Sequence, residues 1–448
     1  MKKLWPVVAL VALAALTSKT YADVQNIRLS GDIRIRGYFL DNAGGIVDPN
    51  TGELDQAKAN TSFISQRTRV SVEADLEDHV LVVVTLKAEG TWGSNDQTLD
   101  NSGAGTVGGS LINRGFGVGI DEAYVQLNEM FYTAATLKLG RQFLNYGHGL
   151  ILSSAEQEYN YDAGRLVLDF YPLTIDLVGA EVVNNQSFAA TPNKLVGLTT
   201  GSADLLFVNA RYELTDSAIK NVEAYFGWLA QGASGTNNAF SRVPPSVNGA
   251  SPWILGVRSD LQPADGFQVW LEGAYEGGAN GVNDPVNIDA FLVNLGGRFT
   301  MKNSQWTPAM NANYLYASGN FVPWFDYVEG YNGYVFVPRL SNMHIFNLGA
   351  SVKPYENTTL SVQGYYYMKA DVGMPASSDP NVDFGGLEFV PTANSSGLGW
   401  EIDGILGYDY SKDVRLQLVY GAFLPGGAFG TADAAAVQEV RGEVNVKF

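Results

Sequence analysis

Apolar and polar residues alternate along many segments of the chain. In residues 27–36, apolar residues such as Leu29 and Ile35 occupy every second position, and all the charged residues lie between them. The same period recurs in residues 64–76 and 439–448. Because successive side chains of a β-strand point to opposite faces, this period predicts strands with one apolar and one polar face. A β-sandwich contains such strands too, so the period alone does not place the chain in a membrane.

The lengths of the predicted strands and of their connections point to a membrane barrel. We predict about 18 strands, most of them near the 9–11 residues that cross a bilayer at a tilt. They cover residues 26–40, 61–76, 80–92, 117–128, 132–143, 161–170, 173–184, 203–214, 221–231, 252–262, 266–277, 287–301, 304–317, 341–354, 358–370, 396–410, 413–424 and 437–448. Short turns at 77–79, 171–172, 263–265, 354–357 and 411–412 alternate with long loops at 41–60, 93–116, 144–160, 185–202, 233–251, 318–340, 371–395 and 425–436.

This alternation is typical of outer-membrane proteins, which have short periplasmic turns and long extracellular loops. The fold of a β-sandwich gives no reason for short turns to alternate with long loops. An even number of strands places both termini on the periplasmic side, and a closed barrel leaves no unpaired backbone in lipid. The sequence therefore predicts an all-β fold: a transmembrane antiparallel up-and-down β-barrel of about 18 strands, surrounded by the lipid of the bacterial outer membrane.

The first 22 residues have the features of a secretory signal peptide. Lys2 and Lys3 precede an apolar stretch over residues 4–16, and small Ala22 is the expected last residue before cleavage. An amphipathic anchor is the alternative, and the stretch is too short for a spanning helix. We therefore expect a signal peptide over 1–22 and a single barrel domain over 23–448.

Composition narrows the chemistry further. Charged residues make up 17% of the chain, against about 25% in soluble domains. There is no cysteine, which excludes a disulfide framework, a metal thiolate and a cysteine nucleophile. Removing the three lysines of residues 1–22 changes the net charge from −18 to −21, and so acidic a protein is not expected to bind nucleic acid.

One region resembles a known family. Residues 137–149 contain Gly-Arg-Gln at the start of a loop, residues 161–166 read Tyr-Asp-Ala-Gly-Arg-Leu, and residues 122–127 precede both. In this order the motifs resemble the alginate export family of outer-membrane porins. The resemblance implies a passive exporter of an anionic polysaccharide through an arginine-lined lumen, and it makes Arg165 a candidate lumen residue. The terminal Phe448 resembles the signal read by the outer-membrane assembly machinery, which makes that machinery an expected partner.

The polar faces of neighbouring strands predict a basic stripe in the lumen. Since the last strand of a closed barrel lies beside the first, five or six arginines should share one wall: Arg28, Arg34, Arg36, Arg67, Arg69 and Arg441. The planar guanidinium suits carboxylates because it donates hydrogen bonds in pairs. In the alternative interpretation, nearby acids neutralise the stripe as a cross-strand network: Asp32, Glu73, Asp75, Glu439 and Glu443. A mixed ladder can do both.

Arg141 does not fit the alternation. Strict alternation places it on the lipid face with Leu139, where a charge near the midplane costs about 2–4 kcal/mol. A bulge at Gly140 would shift the register and turn Arg141 into the lumen. We therefore predict such a bulge, with Asp162 or Glu122 as the partner of Arg141. The alternative is that Arg141 lies high enough to reach the lipid headgroups.

The loop over 318–340 is the predicted constriction. An 18-stranded barrel has an aqueous lumen that short turns are too small to fill. This loop is too rich in aromatic residues to lie freely in water. The aromatic residues expected to narrow the pore are Trp324, Phe325, Tyr327, Tyr331 and Tyr334, flanked by Phe321 and Phe336.

Other chemistry receives little support from the sequence. The acidic turn at 48–55 is a weak candidate for Ca²⁺ because it lacks the spacing of an EF-hand. The three histidines have no ligand spacing, so we expect no other metal or cofactor. His148 near Ser153 and Ser154 is the one candidate for a hydrolase, and we expect no enzyme.

The leading prediction is an outer-membrane channel for passive passage or export of a hydrophilic, anionic carbohydrate or organic acid. The alternatives are a general diffusion porin and a structural barrel that scaffolds a partner protein.

Overall fold

The computed structural model describes most of the chain from Val24 to Phe448. The described residues are 24–41, 46–47, 54–55, 60–77, 79–93, 116–154, 160–184, 202–215, 217–231, 251–279, 287–321, 324, 331–338, 340–372, 382–384, 387–389, 395–429 and 436–448. The predicted signal peptide lies outside these residues.

Eighteen antiparallel strands form one closed sheet, in which each strand pairs with its neighbours in sequence. The strands are β1 (Val24–Asp41), β2 (Thr61–Leu76), β3 (Val80–Thr91), β4 (Gly117–Leu127), β5 (Ala135–Gln142), β6 (Tyr161–Phe170), β7 (Leu173–Asn184), β8 (Ser202–Glu213), β9 (Ile219–Gln231), β10 (Ser251–Leu261), β11 (Phe267–Ala279), β12 (Asn287–Thr300), β13 (Ala309–Ala317), β14 (Met343–Tyr355), β15 (Thr358–Lys369), β16 (Gly397–Asp409), β17 (Val414–Pro425) and β18 (Val437–Lys447). The predicted fold class is confirmed.

Smaller elements lie in the connections. Two short strands pair between β1 and β2, and three more form a separate sheet: Ile46–Val47 with Leu54–Asp55, and Val337–Pro338, Val382–Phe384 and Leu387–Phe389. Among the described residues, two 3₁₀ turns span Met130–Tyr132 and Gly427–Phe429. Within the described residues, we find no helix with the length and apolar character needed to span a membrane.

The barrel closes between its first and last strands. β1 pairs with β18 from Asp32 opposite Lys447 to Asp41 opposite Gln438. Gly31 and Phe448 extend this pairing, because each donates its backbone N–H to the other's carbonyl oxygen, at 2.8 and 3.0 Å. A Cβ at position 31 would overlap the backbone carbonyl oxygen of Arg69 as well as the Phe448 ring, so glycine is required there. Closure pairs the backbone N–H and carbonyl groups of both edge strands, which could not remain unpaired in lipid.

Alternation sorts the side chains between lipid and lumen as predicted. Apolar side chains on the outer face are uncovered in the isolated chain, among them Leu29 (68% exposed) and Leu348 (70%). On the inner face Asp32 and Arg34 are buried. The most buried apolar cluster also lies inside the barrel, where inward-folded loops pack against the wall.

Two strands begin later than the alternation predicts. β5 starts at Ala135 because the preceding turn contains Phe131 and Tyr132 with φ of 56° and 57°, which no strand adopts. β13 starts at Ala309 because residues 301–308 form a turn. That turn has eight residues, whereas the connection between β11 and β12 at the opposite end of the barrel has seven. The predicted alternation of short turns and long loops therefore has one exception.

Candidate functional site

A basic cavity lies on the inner wall formed by β18, β1 and β2. Its volume is about 660 Å³. Six basic side chains line it against three acidic ones. Most of the predicted stripe is brought together here, since Arg34, Arg36, Arg67, Arg69 and Arg441 all belong to this lining, together with Glu122. Arg28 does not line the cavity and pairs with Glu73 and Asp75 instead.

Ion pairs with the wall hold several of these guanidiniums in place. Arg36 Nε lies 2.5 Å from Glu443 Oε2 across the β1–β18 seam. Arg67 and Arg69 both pair with Asp32, Arg67 at 3.6 Å. The predicted cross-strand network therefore exists, and the same arginines line the cavity, so the mixed-ladder interpretation describes this wall.

A bulge in β4 adds acidic groups to the lumen. Thr85 pairs with Glu122 and Leu86 with Ile120, which leaves Asp121 without a partner in the register. Two successive side chains, Asp121 and Glu122, therefore point inward. Glu122 lines the basic cavity, and Asp121 lies within 3.3 and 3.7 Å of a lysine of β3 and an arginine of β2.

The bulge predicted at Gly140 is wrong. β5 pairs with both neighbours without a register shift, so Arg141 lies opposite Ala123 of β4 and opposite Asp162 of β6. Arg141 therefore keeps the outer face of Leu139, which is 49% exposed. Gly140 is needed for another reason: its φ is 125°, and a Cβ there would overlap the Ala123 carbonyl oxygen.

Arg141 and Asp162 form an ion pair on the outside of the barrel. The guanidinium donates hydrogen bonds of 2.9 and 2.8 Å to the two carboxylate oxygens. Arg141 is the penultimate residue of β5, at the extracellular end of the strand. A charge there reaches the headgroup region and avoids the cost of the bilayer midplane. Neither residue lines the pore, and Asp162, not Glu122, is the partner of Arg141.

Arg165 faces the lumen as expected, away from the basic cavity. It donates a 2.8 Å hydrogen bond to Asp176 of β7. It also lies 5.6 Å from the centre of the Tyr146 ring. A separate cavity of about 390 Å³ is lined by Arg165 and by Arg211 and Arg258 from β8 and β10.

The loop over 143–154 folds into the lumen, and sequence reasoning missed it. Leu144 and Leu152 are fully buried. The loop leaves β5 and reaches β11, where the His148 backbone N–H donates a 2.9 Å hydrogen bond to Glu272. The apolar run Leu150–Leu152 was the available signal, because a solvated loop has no use for it.

His148 fastens this loop to the far wall. Its ring nitrogens lie 3.2 Å from Asp260 Oδ1 and 2.8 Å from Glu272 Oε2. Burial lowers the pKa of His148, but the hydrogen bonds to these carboxylates outweigh burial and raise the pKa above its ordinary value of 6.5. Ser153 and Ser154 bond instead to Asn145 and to the Leu144 backbone, so the hydrolase arrangement considered from sequence does not form.

The described residues of the aromatic loop over 318–340 also pack against the inner wall. The Trp324 indole donates a 2.8 Å hydrogen bond to Glu276. Tyr331 donates to the His148 carbonyl oxygen at 3.3 Å, so the two inward loops touch. Tyr334 lies over Arg441, 4.3 Å from guanidinium carbon to ring centre. Phe325 and Tyr327 lie outside the described residues.

Carboxylates of the wall serve as acceptors for the backbone of both loops. Glu223 accepts from the Gly147 N–H at 3.1 Å, and Glu401 accepts from Val335 and Phe336 at 2.7 and 2.9 Å. The carboxylates of β9, β11 and β16 that bind the loops are at most 3% exposed: Glu223, Glu272, Glu276, Glu401 and Asp403. These acids therefore bind the inward loops, and little of their negative charge is accessible to a solute in the pore.

The described residues contain no group of three His, Asp or Glu side chains placed to hold a metal ion. The Ca²⁺ prediction concerns residues 48–55, of which only Leu54 and Asp55 are described. It stays a prediction.

Comparison with known proteins gives one family and many structures. The model of the family "Alginate export" matches residues 55–443. No curated protein matches the chain. Among solved structures, Pseudomonas aeruginosa OpdL is 10% identical with a TM-score of 0.58, covering 94% of this chain and 99% of its own. OccK8 (OprE) of the same organism is 9% identical, with a TM-score of 0.57 and coverage of 95% and 99%. OccK2 (OpdF), solved in complex with glucuronate, is 9% identical, with a TM-score of 0.56 and coverage of 95% and 97%. At these identities the likeness shows the fold.

Proposed function

Because the chain belongs to the alginate export family, whose members are outer-membrane porins, we propose that it forms a passive channel for hydrophilic anions that carry carboxylates, namely sugar acids or organic acids. The observation that carries this proposal is the basic cavity on β18, β1 and β2. The most buried acids of β9, β11 and β16 bind the loops instead of facing the solute path.

The positive charge of the basic cavity should affect a solute more strongly than the net negative charge of the whole chain. Charges about 4 Å apart interact by roughly 4 kcal/mol near a protein surface, and salt screens distant charges over about 8–10 Å. A solute carboxylate in the cavity therefore responds to its arginines more than to the net charge of the chain. Wall acids such as Asp32 and Glu443 already pair with these arginines, so the preference for anions should be modest. The structure of OccK2 with glucuronate supports a sugar acid as one class of solute.

Two further parts of the proposal concern biogenesis. We propose that residues 1–22 direct export and are then removed, on the strength of their basic start and apolar stretch. We also propose that the C-terminal Phe448 is read by the outer-membrane assembly machinery. Its backbone pairing with Gly31 supports a role for the terminal residue in closing the barrel.

Reversal potentials in planar bilayers test the channel proposal. We expect a small anion preference under a KCl gradient and a current reduction by glucuronate. Changing Arg34, Arg36, Arg67 and Arg69 together to Gln should lower or reverse the preference. Arg28→Gln is the matched control, because Arg28 pairs with Glu73 and Asp75 outside the cavity and is 53% exposed.

The alternatives give different results. Marked cation selectivity of the unmodified protein would overturn the proposal. A general diffusion porin would conduct without any effect of glucuronate, and a scaffolding barrel would carry no steady current.

A further inference from the structure

Four carboxamides lie side by side on the inner faces of β13, β14 and β15. We call them the amide wall: Asn311, Asn313, Asn347 and Gln363. Asn311 donates to Asn347 at 2.8 Å and to Gln363 at 3.1 Å. Asn347 donates to Gln363, also at 3.1 Å. Each carboxamide has two N–H donors and an oxygen with two lone pairs, so these mutual bonds hold Asn311, Asn347 and Gln363 in place and leave further capacity on these three side chains.

The amide wall faces water, because its sequence neighbours face lipid. Met310 and Leu348, which flank Asn311 and Asn347, are 60% and 70% exposed on the outer face. The wall lies below the inward loops, in the half of the lumen nearer the short turns. Its upper end adjoins Asn294, whose amide lies 3.4 Å from His148 Nδ1.

An indole ring borders the amide wall. Trp270 of β11 donates its Nε1–H to Asn313 Oδ1 at 2.9 Å. The ring lies over Gly296 of β12, where a Cβ would overlap two ring carbons and Asn313 Oδ1. Glycine at this position therefore lets the indole lie against the wall. The hydrogen bond then fixes the orientation of the ring, which stays partly exposed.

A single guanidinium completes the set. Arg298 lies on the same face of β12, two residues beyond Gly296, and directly opposite Asn311 in the register. Its side chain is exposed. In the described part of the chain, no carboxylate lies within ion-pair distance of it, in contrast to the arginines of the basic cavity. This guanidinium is available to a carboxylate from outside the protein.

From this juxtaposition we infer a second binding site, which takes one pyranose unit of a uronic acid chain. The ring of the sugar packs on the Trp270 indole, its hydroxyls bond to the amide wall, and its carboxylate pairs with Arg298. Aromatic faces with a few placed polar groups are the usual composition of small-molecule sites, and hydrogen-bonding groups along a pore set its selectivity. The inference rests on the proposed function and deepens it: the basic cavity selects charge, and this site selects a sugar.

Two anions of equal charge separate these roles. Trigalacturonate carries three carboxylates on pyranose rings, and propane-1,2,3-tricarboxylate carries three without rings or hydroxyls. We expect trigalacturonate to block single-channel current in the full-length protein at lower concentration than the tricarboxylate. Trp270→Leu should weaken the trigalacturonate block about tenfold, equal to about 1.4 kcal/mol, and leave the tricarboxylate block unchanged.

The controls keep the two proposals apart. Trp400→Leu removes a lipid-facing tryptophan and should change neither block. Trp270→Phe keeps an aromatic face and should recover most of the trigalacturonate block. Asn347→Ser removes one amide by a milder change and should weaken only that block.

The inference is overturned if folded Trp270→Leu and Asn347→Ser channels, with unmodified conductance, keep the full trigalacturonate block. In that case the fourfold Arg→Gln variant still weakens both blocks, and the proposed function stands. If neither anion affects the unmodified channel, the proposed function itself fails.

Discussion

At the scale of single residues, the position of a charge in the strand register decides what the charge does. Arg141 and Glu122 are one strand apart and both were expected in the lumen. The bulge of β4 turns Glu122 inward, whereas the unbroken register of β5 keeps Arg141 outside. Alternation predicts faces correctly until a bulge intervenes, and a glycine in a strand does not by itself reveal where the bulge is.

His148 should make the seating of the loop over 143–154 sensitive to pH. The pKa of His148 is raised in the seated loop, so the protonated ring is favoured there over the released loop. The stabilisation of the seated loop by the protonated His148 ring is fully present below the ordinary pKa of 6.5. It is lost as the pH rises through the raised pKa. Asp260, Glu272 and Arg258 are the charged groups near the ring. We expect fluctuations of the open-channel current to increase from about pH 5.5 to about pH 8.5.

The control for this prediction is His148→Gln, which keeps a hydrogen-bonding side chain and cannot titrate. Its current should fluctuate to the same extent at both pH values. Identical pH profiles for this variant and the unmodified channel would show that another group is responsible.

At the scale of elements, Glu401 accepts two backbone N–H groups of the segment over 331–338. Glu401→Ala leaves the buried N–H groups of Val335 and Phe336 without their acceptor, at about 1–3 kcal/mol for each. We expect the segment to leave the wall and the single-channel conductance to rise. Trp400→Phe is the matched control, since Trp400 is the neighbouring residue on the outer face and is 61% exposed. A folded Glu401→Ala channel with unchanged conductance would contradict this account.

The strands were predictable from sequence, and the wall residues that bind the inward loops were not. Alternation and turn residues act over a few positions, which is why 16 of the 18 strands begin within two residues of their predicted starts. The loops bind side chains far away in sequence, such as Glu272 for His148 at 124 residues. No local pattern encodes such a pairing. The aromatic content of 318–340 predicted an inward loop, and its described residues Phe321, Trp324 and Phe336 are buried, but the shorter loop over 143–154 had only its apolar run as a sign.

At the scale of the whole molecule, the seam between β1 and β18 is the contact that turns a sheet into a barrel. Arg36 and Glu443 meet across it, with side chains 15% and 13% exposed. Glu443→Arg places two guanidiniums at the seam, and breaking a buried pair costs at most about 3–5 kcal/mol. We expect the folded form to be lost at a lower temperature in semi-native electrophoresis. The swap Arg36→Glu with Glu443→Arg should recover most of the loss.

An exposed pair provides the comparison for this seam. Arg415 and Asp409 lie 2.8 Å apart in the β16–β17 hairpin, with side chains 51% and 47% exposed. Asp409→Arg should have little effect on thermal stability, because surface pairs contribute about 0–1 kcal/mol. Equal losses for Asp409→Arg and Glu443→Arg would mean that the seam pair has no special role.

The seating of the loops on distant carboxylates also dictates an order of events during biogenesis. Gly147, His148 and Val335 find their acceptors 76, 124 and 66 residues further along the chain. Contacts between such distant positions form late, because a long stretch of chain must be ordered first. The loops therefore fold into the lumen only after the strands that receive them have joined the sheet. Any delay in that step leaves a wide conduit open, which makes the speed of assembly a determinant of leakage across the cell envelope.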